Sequence, residues 1–128
     1  MPHVSRKLLE HKHFLDIHKE FAVVITDLFR SGKGRAVIDT FFTKTEKLMF
    51  AKRLAIILML DQGESTYAIE QILKVSPSTV ALMSLEYEKG TYSSLLKQIG
   101  KENSFWTELS KIIPPRVGRN RFKNFLKF

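Results

Sequence analysis

An all-helical fold is predicted by three observations. Apolar residues recur at spacings of three and four along most of the chain. No stretch alternates polar and apolar residues as a half-buried strand would, and no internal repeat appears. Helix-start and helix-stop residues fall at the ends of the periodic runs.

The first run covers 4–28, where Phe14, Ile17, Phe21, Val24, Ile25 and Leu28 form one stripe of a long amphipathic helix. Lys7, Lys12, Lys19 and Asp27 fall on its wet side. Ser31, Gly32, Lys33 and Gly34 break it. Without a preceding strand and a fuller glycine motif, this is a linker and not a phosphate loop. A short apolar helix over 36–42 follows.

Thr43 and Glu46 have the spacing of a capping box, in which each side chain serves the other residue's backbone N–H. The helix they open is predicted to run to about Gln62 and stop at Gly63. Its second half, LAIILML at 54–60, is apolar all the way round and needs burial on every side. It is expected at the centre of the fold, with a partner subunit as one way to cover it.

Residues 65–90, STYAIEQILKVSPSTVALMSLEYEKG, read as two short helices joined by a tight turn. Ile69, Leu73, Val75, Val80 and Met83 are spaced to bury the pair against each other at a steep angle. Ser76 and Pro77 suit an N-cap and a first helical position, and Gly90 a stop. This is the pattern of a helix-turn-helix, the reader of many duplex-binding proteins; a plain helical hairpin is the alternative. Beyond Gly90, Tyr92, Leu95, Leu96 and Ile99 predict another helix. Asn103 can cap a last one, striped by Phe105, Leu109, Ile112 and Ile113 and ended by Pro114 and Pro115, with Trp106 packed or half-buried.

The 128 residues suit one domain, 1–113, and a tail, 114–128. Net charge is +8, distributed unevenly. Residues 1–42 hold seven basic and five acidic side chains, 43–90 six of each, and 91–128 eight and two. Arg116, Arg119, Arg121, Lys123 and Lys127 all follow Pro115, so a polyanion would feel the tail first. Its sequence RVGRNRFKNFLKF also has an apolar edge at Phe122, Phe125 and Leu126. The tail therefore suits a nucleic-acid backbone, docking on its own domain, or an anionic membrane surface.

There is no cysteine, which excludes disulfides and thiolate metal sites and fits a reducing compartment. The longest apolar run has seven residues, against the roughly 20 needed to span a bilayer. A cytoplasmic protein with no membrane partner is expected. The histidines at 3, 11, 13 and 18 lack companion ligands, so no metal site is expected. No nucleophile or paired-carboxylate arrangement can be argued, so neither enzymatic activity nor a cofactor is expected.

Residues 41–90, with FFTKTEKLMFAKRLAIILMLDQGES before the two-helix unit, resemble the Trp repressor superfamily. The likeness lies in caps and apolar positions more than in identities, over about 50 of 128 residues. It implies an intertwined homodimer whose long first helices cross and whose two readers enter successive major grooves of double-stranded DNA.

The family's tryptophan site carries over in part. Thr43 and Arg53 stand at its threonine and one of its arginines. The second arginine's place is taken by Leu82, or by Met83 if a one-residue gap after Gly63 is removed. The glycine beside it becomes Met83, and the serine that helps bind the ligand's amino group becomes Glu86. The resemblance therefore implies a regulator without tryptophan, its hole filled by Met83 and Leu82.

The family's small residue in the first reader helix is Glu70 here, and its turn glycine is Lys74. A lysine there requires a left-handed backbone or a different turn. Ser78, Thr79, Ala81 and Leu82 are expected on the outer face, with no side chain for bidentate base reading, while Glu86 and Glu88 would repel phosphates. The expected contacts with DNA are Lys74, Ser76, Ser78 and Thr79 at the reader, with Arg116, Arg119, Arg121 and Lys123 on phosphates. The rival readings are a dimeric structural or interaction protein that has lost operator reading, and a non-specific nucleic-acid binder using the tail.

Overall fold

A computed structural model describes residues 11–100 and 103–114. Those residues hold seven helices and no strand: α1 (His11–Arg30), α2 (Gly34–Thr40), α3 (Lys44–Asp61), α4 (Thr66–Leu73), α5 (Pro77–Glu88), α6 (Ser93–Ile99) and α7 (Ser104–Ser110). The chain divides into two compact units, Met1–Phe50 and Ala51–Phe128, the division falling within α3.

In the first unit, α1 ends two residues later than its apolar stripe predicts. Gly32, at φ +84°, lets the Lys33 N–H reach the Leu28 carbonyl at 2.9 Å and its own N–H reach that of Phe29 at 3.2 Å. These two bonds satisfy carbonyls that a helix end would otherwise leave open. Gly34, expected within the linker, instead begins α2, and a Cβ built on it would overlap the Phe29 ring. The predicted box is present, with Thr43 N–H donating to Glu46 Oε1 at 2.9 Å and Glu46 N–H to Thr43 Oγ1 at 3.1 Å. Those bonds hold the Glu46 carboxyl below its ordinary pKa.

Val37 is buried, whereas Phe14, Ile17, Phe21 and Val24 along the α1 stripe stay exposed. The rings of Phe21 and Phe41 lie 6.1 Å apart, and a chain of edge contacts continues through Phe42 to Phe50.

The second unit contains the core. All six residues at 55–60 are buried, with Leu54 partly so. Ile69 and Leu73 from α4, Val80 and Met83 from α5, and Leu109 from α7 pack with them. The expectation that 54–60 sits at the centre holds, but the suggested partner subunit is not needed to cover it. Four helices of the same chain pack on this cluster, α4, α5 and α7 with buried residues and α6 with the partly buried Leu96 and Ile99, a number that sequence periodicity cannot give.

Helix α3 closes with the same pair of bonds as α1. Gly63 is at φ +85°, Glu64 N–H donates to the Met59 carbonyl and Gly63 N–H to that of Leu60, both at 3.0 Å. Helix α7 ends at Ser110, before Pro114, and Ile112 is exposed where the predicted stripe would bury it. The stripe assumed a helix continuing through 113; the chain turns instead at 111–112, and the periodicity lapses.

Candidate nucleic-acid interface

Helices α4 and α5 form the two-helix unit anticipated from the sequence. The Ser65 hydroxyl accepts from Ala68 N–H at 3.1 Å, and Ser76 does the same for Thr79 N–H at 3.2 Å. Pro77 is at the first position of α5, where its missing donor leaves nothing unpaired. Such caps contribute about 1 kcal/mol each. Ile69 and Val80 are fully buried, fixing α4 and α5 against α3.

The turn between them resolves the question raised by Lys74. The residue adopts the left-handed conformation, φ 56° and ψ 52°, and is the one non-glycine with positive φ among the described residues. Val75 N–H donates to the Glu70 carbonyl at 3.3 Å. Lys74 thus stands where the stops of α1 and α3 have glycine. The strain is of the order of 1 kcal/mol, and the surrounding bonds and core hold it in place.

Lys74, Ser76, Ser78 and Thr79 are all exposed and converge on the N-terminal end of α5. Ser76 Oγ lies 2.8 Å from Thr79 Oγ1 and 3.3 Å from Ser78 Oγ. The Ser76 oxygen accepts the cap bond and lies within hydrogen-bond distance of the other two hydroxyls, so the three form one exposed cluster. The positive end of the α5 dipole and the Lys74 ammonium favour an anion at the same place.

Farther along α5, the Glu86 carboxylate accepts from Thr91 Oγ1 at 2.9 Å and Lys89 Nζ at 3.3 Å, which hold its pKa below the ordinary glutamate value. Its charge is thereby tied to the C-terminal end of the helix, away from the hydroxyl cluster.

One expectation about this helix is corrected. Met83 is buried in the core, but Leu82 is 66% exposed and fills no hole. The outer-face position expected for Leu82 holds, and Met83, about 100° further round the helix, faces the core. The two residues carried over from the tryptophan site are also accounted for. The Thr43 hydroxyl is engaged in the cap of α3, and Arg53 is exposed.

Several features had no signal in the sequence. Leu85 (55%) and Tyr67 (65%) are exposed apolar residues of α5 and α4. Tyr87 Oη donates to Asp61 Oδ1 at 2.9 Å, tying the end of α5 to the end of α3 and raising the tyrosine pKa. A cleft of about 670 Å³ opens beside this bond, lined by Leu58, Asp61, Tyr87, Leu96, Lys97 and Trp106 among others. It is built from the ends of elements distant in sequence, so only the folded chain reveals it.

Arg116, Arg119, Arg121 and Lys123 lie outside the described residues. Among the described residues no group of three potential ligands could hold a metal ion, and no helix is long and apolar enough to cross a membrane. No protein-family profile, curated protein or solved structure matches this chain.

Proposed function

We propose that the chain is a duplex-DNA-binding transcriptional regulator of Trp-repressor-like architecture, acting as a homodimer without a tryptophan co-repressor. The observation that carries this reading is the α4–α5 unit: two capped helices locked by Ile69 and Val80, a tight left-handed turn at Lys74, and an outer α5 face left in solvent. Helix-turn-helix proteins lay such a face in the major groove and contact base edges with its N-terminal residues. Ser78 and Thr79 take base edges or phosphates here, Lys74 and Ser76 lie beside them, and the tail cations at 116, 119, 121 and 123 take phosphates.

Support for the homodimer comes from α1, whose Phe14, Ile17, Phe21 and Val24 form an uncovered apolar stripe in the single chain. Independence from tryptophan is supported by Met83, whose side chain fills core space and offers no guanidinium to a ligand.

The test is binding to mixed duplexes across a salt series. A regulator selects a preferred sequence, and Thr79→Ala or Ser78→Ala weakens that selection. Deletion after Pro115 lowers affinity for all duplexes and flattens the salt slope, since fewer counterions are released. If the deletion abolishes all binding and no sequence preference exists, the tail alone binds nucleic acid. Absence of duplex binding at low salt leaves the interaction-protein reading.

A further inference from the structure

The outer face of α5 leaves two leucines in solvent. Ser78, Leu82 and Leu85 lie on one line along the helix, at spacings of four and three, with Ala81 beside them. Leu82 and Leu85 are 66% and 55% exposed, while Val80 and Met83 on the opposite side are in the core. The stripe has no arginine, lysine, asparagine or glutamine, the side chains that recognise guanine or adenine by paired hydrogen bonds.

We propose that Leu82 is a specificity-determining residue that reads thymine C5-methyl groups in the major groove. The inference rests on the duplex-binding function proposed above. The thymine methyl is the apolar feature of the major-groove edge, and an apolar side chain is the group that matches it. Leu82 lies in the first half of α5, within the part of a reader helix that reaches base edges. Against a G·C pair, its isobutyl group would cover the guanine acceptors or the cytosine amino group and return no hydrogen bond, a penalty that disfavours those pairs. Ser78 and Thr79, one turn earlier, have hydroxyls that donate or accept at neighbouring positions. Selectivity for A·T pairs arises in this way without any bidentate contact.

The experiment uses the full chain. Duplexes enriched from a random pool at low salt are resynthesised with deoxyuridine in place of individual thymidines, which removes the methyl and nothing else. Loss of a methyl beneath Leu82 is expected to weaken wild-type binding about four-fold, corresponding to roughly 0.8 kcal/mol for one buried methyl-sized group. Leu82→Ala, at an exposed position, is expected to fold normally and to bind thymidine and deoxyuridine duplexes alike, with an unchanged salt slope.

Equal wild-type affinity for both duplexes overturns the inference, as does discrimination that survives Leu82→Ala. Loss of self-association in Leu82→Ala with thymine discrimination intact assigns the stripe to protein contact and also overturns it. Duplex binding without methyl dependence defeats this inference alone; no duplex binding defeats it together with the proposed function.

Discussion

Lys74 occupies a backbone conformation that the neighbouring stops at 32 and 63 give to glycine. Replacing it with glycine relieves the Cβ clash of the left-handed region, partly offset by the greater freedom of glycine in the unfolded chain. Lys74→Gly is expected to raise stability by up to about 1 kcal/mol, read as a higher urea midpoint at unchanged slope. A lower midpoint would show that the lysine side chain contributes more than its backbone costs. At Thr43, removal of the hydroxyl costs one side of the capping box, so Thr43→Ala is expected to lose about 1 kcal/mol. The partner side titrates. Because folding lowers the Glu46 pKa, its contribution is complete above the ordinary glutamate value and fades as pH falls through the lowered one. Glu46→Gln keeps an acceptor but no titratable proton, and is expected to flatten the acid side of the stability–pH curve. An unchanged acid limb would show that Glu46 plays no part in it.

Among the elements, α4 and α5 show how far local rules reach. Ser76, Pro77 and Gly90 mark the ends of α5 in the sequence, and the helix begins and ends beside those residues. Inward and outward faces of α5 were legible at Val80, Met83, Ser78, Thr79 and Leu82; what failed was the hole that the family resemblance gave Leu82 to fill. That hole came from the resemblance and not from the periodicity of α5, which turns Leu82 outward. The buried side of the pair is the more sensitive to change. Ile69→Ala opens a cavity beneath both helices and is expected to cost about 2–5 kcal/mol in denaturant unfolding. Duplex affinity of the fraction that remains folded should be much less affected. A cost below 1 kcal/mol would mean that α4 is not anchored to the core through this residue.

For the molecule as a whole, the uncovered stripe of α1 is the feature most in need of a second surface. Phe21→Asp places a charge in the middle of that stripe; the wild type is expected to sediment as a dimer and the variant as a monomer. Wild-type sedimentation as a monomer at micromolar concentration would remove the dimer from the proposed function. The amino-acid sequence alone determined the all-helical class, the capping box at Thr43, the glycine stops and the two-helix unit, because each depends on residues within a few positions of one another. Tertiary structure decided what covers 54–60, and where the Tyr87–Asp61 bond and its cleft lie. Those outcomes depend on which distant helices meet, and the periodicity of a single helix reports that a face is apolar without naming the surface that will cover it.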